Sequence, residues 1–229
     1  MTGYSNHISG VDVYQKIKED ILTLKLKPGQ MISENEIANI YHVSRTPIKN
    51  AFLRLKGEQY IEIVPQKGSF VTLLDIRNIR DVIYMRALLE MDMLNTIIEE
   101  GLTEKAVISL KTNLQEQYDL INSDDLTPSS YFILDNAFHF LLFRIVGRES
   151  LWDVIQNYQV YFTRFRLLDV MTTARYEDIC REHGQIIEAL EEENHAELKT
   201  RLMDHLYSSV NRLDSKIKGE LKEYFIQSQ

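Results

Sequence analysis

Residues 43–52 read Val43-Ser44-Arg45-Thr46-Pro47-Ile48-Lys49-Asn50-Ala51-Phe52, and they combine the signals of a helix start with two chemically different helix faces. Ser44 is a suitable N-cap, because its hydroxyl can accept a hydrogen bond from a free backbone N–H of the first turn. Pro47 fits only near the start of a helix, where its missing N–H costs nothing. The apolar residues that follow at helical spacing form an inward face: Ile48, Ala51, Phe52 and Leu55.

The opposite face of this helix carries polar and basic side chains of the kinds that hold phosphates and read base edges in a major groove. We expect contacts with DNA from Ser44, Arg45, Thr46, Lys49, Asn50 and Arg54. A solvated surface helix can also carry Arg and Lys, so this face alone leaves both interpretations open. The order of the neighbouring elements favours the interpretation that this helix contacts DNA.

Two further helices are predicted before this one. A first amphipathic helix ends at Lys27-Pro28-Gly29. Ser33 and Glu36 have the spacing of a capping box and mark the start of a second helix. The link from the second helix to residue 44 is short enough for a helix-turn-helix.

Two short strand-like segments follow, at residues 60–64 and 69–72, and they flank the tight loop Pro65-Gln66-Lys67-Gly68. We expect this loop to be a wing that contacts the neighbouring groove of DNA through Lys67 and Gly68. Together the elements predict a winged helix-turn-helix DNA-binding domain over residues 1–72.

Residues 11–72 resemble the DNA-binding domain of the GntR family of bacterial transcription regulators. The matching pieces are Lys27-Pro28-Gly29, Ser33-Glu34-Asn35-Glu36-Ile37-Ala38, Val43-Ser44-Arg45-Thr46-Pro47-Ile48 and Pro65-Gln66-Lys67-Gly68-Ser69-Phe70-Val71. The chain departs from the family at Lys49-Asn50, where Arg-Glu is usual, and at Gln59, where a helix-ending Gly is common. Lysine lacks the bidentate guanidinium fork that suits guanine. Arg45 is therefore the strongest predicted base-reading residue.

The composition of the chain limits the classes of protein to which it can belong. Its 229 residues are enough for one large or two modest domains. The single cysteine, Cys180, excludes an internal disulfide. The first seven residues lack the pattern of a secretory signal, and no apolar run is long enough to span a membrane. These features predict a cytoplasmic protein with no membrane partner.

The net charge of −8 is unusual for a DNA-binding protein, but it is unevenly distributed. Residues 1–72 contain nine Lys or Arg and seven Asp or Glu, a balance of +2, and the remainder of the chain carries −10. Only the field near the recognition surface matters for phosphate contact. Because +2 is weak for a single DNA-binding module, we expect two modules to act together, as a homodimer on a double-stranded operator.

After residue 72 the strand-like pattern ends, and residues 73–229 are predicted to form an all-helical domain. Apolar residues recur every three or four positions, and turn signals are sparse. We expect six helices, which begin near Asp75, Thr103, Thr127-Pro128, Ser150, Arg175 and Asn194. This number of helices favours an antiparallel bundle. The predicted fold class is mainly α: a winged helix-turn-helix followed by an antiparallel helical bundle.

Three histidines and one aspartate of the predicted bundle form a second informative pattern. Asp135 and His139 are four residues apart and share one helix face, whereas His183 and His205 belong to two other helices. A single histidine on an apolar helix face is more often a hydrogen-bonded core residue than a ligand. One carboxylate and three imidazoles together favour a divalent transition-metal site with open positions for water or a ligand. The remaining histidines lack such surroundings and are expected at the surface: His7, His42 and His195.

Residues 75–215 resemble the all-helical effector domain of the FCD type, which occurs in the same family. The matching pieces are Tyr84-Met85-Arg86-Ala87-Leu88-Leu89-Glu90, Asp135-Asn136-Ala137-Phe138-His139, Arg181-Glu182-His183 and Met203-Asp204-His205. The resemblance implies metal ligation by Asp135, His139, His183 and His205, at the motif positions where metal-binding members carry one Asp and three His. Zinc is the first choice for this donor set, and nickel, manganese and iron are alternatives.

Arg86 lies within a mostly apolar helix stripe, and a buried arginine needs an anionic partner. One partner is a carboxylate of the bundle, such as Glu90. The other, which the resemblance favours, is a small organic acid whose remaining oxygens reach the metal. Arg164 and Arg166 are weaker candidates that could equally be solvated. The predicted effector contacts are Arg86 and Arg164.

These patterns predict a ligand-responsive transcription regulator, by default a repressor, because many members of the family are repressors that their effector releases. Two alternatives stay open. The Asp/His₃ set could make the chain a metalloenzyme that activates water, although no separate general base or nucleophile stands at a recognisable spacing. The metal could also be purely structural, with no small ligand.

Overall fold

The computed structural model describes residues 10–158 and 160–227, and these residues form two compact units. The first unit contains residues 10–75 together with residues 219–227. The second contains the described residues between 76 and 218. Across the described ranges, no helix is long and apolar enough to cross a lipid bilayer.

The first unit is a winged helix-turn-helix, as predicted. Its elements are α1 (Gly10–Leu22), β1 (Met31–Ile32), α2 (Glu34–Tyr41), α3 (Arg45–Gly57), β2 (Ile61–Val64) and β3 (Gly68–Val71). The strands form one antiparallel sheet in the order β1-β3-β2. Strand β1 was not predicted, because two residues are too few to show an alternating pattern. It pairs with β3 through Met31 opposite Phe70.

Of the two helix caps predicted in the helix-turn-helix, the structure contains one and lacks the hydrogen bond of the other. Ser33 caps α2, and its Oγ accepts from the backbone N–H of Glu36 at 3.1 Å. Ser44 occupies the N-cap position of α3, but its side chain makes no capping hydrogen bond. The expectation of such a bond was wrong. Pro47 is the third residue of α3, so one of the two backbone N–H groups that an N-cap side chain can reach is missing.

Residues 219–227 belong to the first unit, whereas residues 73–229 were predicted to form one domain. The backbone N–H of Leu74 donates to Tyr224 O at 2.8 Å, and that of Ile226 donates to Leu74 O at 2.9 Å. Leu74 and Phe225 thus form a parallel bridge, and both side chains are buried. A short segment with two apolar anchors, Leu221 and Phe225, has too little periodicity to show where it packs.

The second unit is all-helical, as predicted. Its helices are α4 (Ile76–Glu100), α5 (Glu104–Ile121), α6 (Pro128–Ile145), α7 (Glu149–Tyr158), α8 (Val160–Thr173), α9 (Tyr176–Glu191) and α10 (His195–Lys218). The predicted caps Thr103 and Thr127 are present, and Ser130 completes a capping box with Thr127. Asn194 accepts from the backbone N–H of Glu197 at 3.1 Å at the start of α10.

The fourth of the six predicted helices, from Ser150 through Phe162, falls on α7 and α8. Residue 159, between these two elements, lies outside the described residues, so the number of six helices stays a prediction. The described parts of this stretch bury surfaces of different width: α7 buries Trp152 and Ile155 on one side, whereas residues 164–170 of α8 are all buried.

We predict that Phe225→Ala destabilises the first unit by about 3 kcal/mol, because it removes a buried aromatic side chain and leaves a cavity. Phe225 is 2% exposed, whereas the next residue, Ile226, is 39% exposed and provides the matched control as Ile226→Ala. Hydrogen exchange of the β3 backbone amides measures the free energy of opening of this unit. Equal losses in the two variants would show that the segment does not stabilise the unit through Phe225.

Candidate nucleic-acid interface and metal centre

The recognition surface of the first unit is the exposed side of α3 and its N-cap. Helix α2 ends at His42, which has a left-handed φ of +54°, and the backbone N–H of Val43 bonds to Ala38 O at 3.0 Å. Helix α3 then buries the four predicted apolar residues. All eight predicted DNA contacts are exposed: Ser44, Arg45, Thr46, Lys49, Asn50, Arg54, Lys67 and Gly68.

Arg54 differs from the other cations of this surface because it has partners within the unit. Its Nε donates to Glu58 Oε1 at 3.0 Å, and its guanidinium carbon lies 3.8 Å from the ring centroid of Tyr14. Within the described part of the chain, Arg45, Lys49 and Lys67 have no ion pair. These three cations are therefore available to phosphates without first breaking a contact.

The predicted wing is a tight connection between β2 and β3. Gln66 has a left-handed φ of +62°, and the backbone N–H of Lys67 bonds to Val64 O at 3.1 Å. Gly68 pairs with Val64 at a φ of +123°, a conformation in which a side chain would be strained. The turn leaves Lys67 exposed at its tip.

The second unit brings together the four predicted metal ligands, which we call the Asp/His cluster: Asp135, His139, His183 and His205. All four are at most 1% exposed, and one potential donor atom from each lies within 4.8 Å of the others. His139 Nε2 is 3.1 Å from His205 Nε2, and His183 Nε2 is 3.7 Å from Asp135 Oδ1. Of the histidines predicted at the surface, His42 and His195 are exposed, and His7 lies outside the described residues.

Each imidazole of the cluster turns its Nδ1 outward to an acceptor on another helix. His139 Nδ1 is 2.7 Å from Glu90 Oε2 on α4, and His205 Nδ1 is 2.8 Å from Glu182 Oε2 on α9. His183 Nδ1 is 2.9 Å from Gln117 Oε1 on α5. Since carboxylate and amide oxygens accept hydrogen bonds, the Nδ1 atoms donate. The three Nε2 atoms face the cluster.

Burial and charge favour the metal-binding protonation states of His139, His183 and Asp135. Burial holds the pKa of His139 well below its usual value, with Arg86 acting in the same direction. Burial and then the neighbouring His205 do the same to the pKa of His183. Burial opposes ionisation of Asp135, but Arg166 and the further groups around this carboxyl together outweigh burial, and its pKa is lowered. Neutral imidazoles and an ionised carboxylate are the forms that bind metals.

The cluster leaves buried inward-facing atoms without a hydrogen-bond partner. His139 Nε2 and His205 Nε2 face each other across 3.1 Å. His183 Nε2 and Asp135 Oδ2 are buried without a hydrogen-bond partner. Unpartnered polar atoms at such depth are costly. A cation bound to these atoms would remove the cost, so the residues fit a divalent metal.

The buried arginines of the second unit line the same interior. Arg86 Nε donates to Glu90 Oε1 at 2.7 Å, so the predicted alternative of an internal salt bridge is present. Arg86 Nη2 nevertheless has no hydrogen-bond partner. Arg166 Nη2 donates to Asp135 Oδ1 at 3.0 Å. Arg164 and Arg166 are both buried, which corrects the alternative that they are solvated.

The hydrogen-bond acceptors around the cluster were missed by the sequence analysis: Glu90, Gln117 and Glu182. One signal was available for Gln117, because Asn113 and Gln117 continue the buried stripe that Ala106 and Leu110 begin on α5. Polar residues at core positions of an amphipathic helix need partners.

Comparison with known proteins gives matches along both units. The pattern of the family described as "Bacterial regulatory proteins, gntR family" matches residues 10–71, and that of the "FCD domain" matches residues 81–208. An HTH-type transcriptional regulator in an unstable DNA locus of Streptomyces ambofaciens is 29% identical over 93% of this chain and 88% of its own length. The HTH-type transcriptional repressor RspR of Escherichia coli is 27% identical over 93% of this chain and 92% of its own length.

Solved structures share the fold at lower identity. A GntR transcriptional regulator from Rhodococcus sp. RHA1 gives a TM-score of 0.66 at 16% identity, with 90% of this chain and 97% of that chain covered. McbR/YncC of E. coli gives a TM-score of 0.62 at 17% identity, with the same two coverages. These likenesses concern the fold alone.

Proposed function

We propose, from the premise that this chain belongs to the GntR family of bacterial regulatory proteins and carries an FCD domain, that it is a metal-dependent repressor controlled by a small carboxylate. The chain is a DNA-binding transcription regulator, and the names of its relatives indicate a regulator rather than an enzyme. Repression is the proposed direction because a relative of nearly equal length is named a repressor.

The proposed DNA contacts are the exposed residues of α3 and the wing. Arg45 stands at the first position of α3, where a side chain can reach a base edge and where no ion pair holds it. Lys49 and Lys67 contribute contacts to phosphates. The small positive balance of residues 1–72 supports binding by a homodimer, in which two modules contact the two half-sites of one operator.

The proposed metal site is the Asp/His cluster, and the observation that supports it best is the inward direction of all three Nε2 atoms. Glu90, Gln117 and Glu182 hold the imidazole rings in this orientation by accepting from Nδ1. A bound divalent metal would supply a positive charge that an effector oxygen can approach. Zinc suits this donor set first, and nickel, manganese and iron remain alternatives.

The charge balance of the interior supports an anionic effector. The fully buried charged side chains are Arg86, Arg164, Arg166, Glu90, Asp135 and Asp169. They comprise three cations and three anions. The one carboxylate of the Asp/His cluster, Asp135, is already paired with Arg166, so a divalent metal would add an excess of positive charge, which is costly in a low-dielectric interior. A carboxylate that reaches the metal and the unpartnered Nη2 of Arg86 would offset this excess.

We predict that Arg45→Ala weakens specific DNA binding while the fold remains intact. A lost bidentate contact costs about 1–3 kcal/mol, and a homodimer loses two. The test is a gel-shift competition on duplexes that the wild-type protein enriches from a random pool. Lys25→Ala is the matched control, because it removes one positive charge from the same unit at a residue paired with Asp20. If Arg45→Ala retained specific binding, the proposed role of Arg45 in base recognition would be contradicted.

We predict that His139→Ala combined with His183→Ala eliminates tight zinc binding, because two of four donors are lost. Elemental analysis after equilibration with zinc and desalting measures the occupancy, and circular dichroism checks that the helices persist. The matched control combines His42→Ala with His195→Ala, two exposed histidines. Full zinc occupancy in the first double variant would refute the ligand assignment.

We predict that zinc raises the melting temperature and that at least one of acetate, succinate and citrate raises it further. A ligand at one hundred times its Kd adds about 2.7 kcal/mol of stability. The same acids are tested without zinc, where the increment should be smaller. If zinc stabilises the protein and none of the three acids adds to it, the metal is structural and the carboxylate-sensor proposal fails.

A further inference from the structure

A hydrogen-bonded chain of side chains leads from a backbone carbonyl to His183. Asn113 Nδ2 donates to Leu134 O at 3.2 Å. A carbonyl oxygen can only accept, so this contact fixes the Asn113 amide with its Oδ1 on the other side. Gln117 Nε2 then donates to Asn113 Oδ1 at 2.7 Å. Both amides are buried, so water does not compete for these bonds.

The orientation of Gln117 follows from that of Asn113. Because its Nε2 faces Asn113, its Oε1 faces His183 Nδ1 at 2.9 Å. Two other groups that can donate approach the same oxygen, the Tyr131 hydroxyl at 3.3 Å and the Cys180 thiol at 3.6 Å. The fixed Gln117 amide presents an acceptor to all three groups, although the single Tyr131 proton can also be donated to Tyr176 O at 3.2 Å. His183 must therefore carry its proton on Nδ1.

The chain matters because the cluster itself favours the opposite tautomer. His183 Nε2 lies 3.7 Å from Asp135 Oδ1, so a proton on Nε2 would be attracted by that carboxylate. Such a proton would occupy the lone pair that a metal needs. The acceptor at Nδ1 prevents this outcome.

His183 differs from the other two imidazoles in the chemistry of its acceptor. His139 donates to the carboxylate of Glu90, and His205 donates to the carboxylate of Glu182. An ionised carboxylate accepts hydrogen bonds and has none to donate. An amide can present either oxygen or NH₂ to a ring nitrogen. Gln117 alone would permit both tautomers of His183, and the contact with Asn113 removes the choice.

We propose that Asn113 and Gln117 form a tautomer relay, anchored at Leu134 O, that holds the Nε2 lone pair of His183 ready for a metal. The role of the relay in metal binding rests on the proposed metal-binding function. Its effect on the tautomer, however, exists without metal. Asn113 and Gln117 are positioning residues, because neither offers an atom to the cluster itself.

The experiment compares three variants of the full-length protein with the wild type. Gln117→Met removes the acceptor and keeps an unbranched side chain of similar length. Asn113→Ala keeps Gln117 but frees its amide to turn over, and it remains informative if Gln117→Met fails to fold. Gln115→Met is the matched control, because Gln115 lies on the same helix and is exposed.

The first measurement is the nitrogen NMR spectrum of ¹⁵N-histidine-labelled, metal-free protein. The His183 ring is assigned by its absence in His183→Asn. We expect the Nδ1–H tautomer in the wild type and in Gln115→Met. We expect an increase of the Nε2–H tautomer in Gln117→Met and in Asn113→Ala. An Nε2–H ring in the wild type, or an unchanged ring in Gln117→Met and Asn113→Ala, would overturn the relay.

The second measurement is the zinc affinity of the same variants, by competition with a chelator. We expect Gln117→Met to bind zinc about 10–100-fold more weakly, as for other residues that orient metal ligands, and Gln115→Met to match the wild type. Unchanged affinity in Gln117→Met would overturn the role of the relay in metal binding. If the wild type binds no zinc, the metal proposal fails, and the tautomer measurement still tests the relay by itself.

Discussion

Every buried imidazole of the second unit needs an acceptor for its Nδ1 proton, and the arrangement of the helices satisfies this need. Helix α4 supplies Glu90, α5 supplies Gln117 and α9 supplies Glu182. An unpartnered buried donor costs about 1–3 kcal/mol, so three of them would remove a large part of a typical stability of about 5–15 kcal/mol. The same three bonds direct the Nε2 lone pairs inward. Stability of the bundle and the geometry of the Asp/His cluster therefore depend on one set of contacts.

The sequence predicted those features that short-range spacing determines. The apolar stripe of α3, the cap at Ser33 and the helix start at Thr127 are properties of four to ten consecutive residues. The cluster was also foreseeable in its membership, because Asp135 and His139 share a helix face and the histidines at 183 and 205 stand in matching motifs. The missing capping bond of Ser44 is local as well, since Pro47 removes one of the two backbone N–H groups that the Ser44 hydroxyl could reach. That outcome was readable from the sequence once the first residue of α3 was known.

The missed features all depend on pairing between distant residues. Glu90 and His139 are 49 positions apart, and Gln117 and His183 are 66 apart. No periodicity within one helix shows which distant polar group will meet it. The burial of α8 is a similar case, because Arg164, Arg166 and Asp169 make its sequence resemble a solvated surface. Their burial is permitted only by partners on other helices, such as Asp135 and Arg212.

The path of the chain limits how the second unit can influence the first. Two covalent connections join the units, one before α4 and one after α10. Helix α4 carries Glu90, and α10 carries His205. Leu74 and Phe225 hold the two connecting segments together within the first unit. A change in the separation of α4 and α10 therefore cannot be absorbed by a free C-terminal end. In the proposed regulator, an effector controls DNA binding only as far as its affinity differs between two arrangements. The Asp/His cluster includes His205 on α10 and is bonded to Glu90 on α4 through His139, so it contacts both helices that lead to the connections.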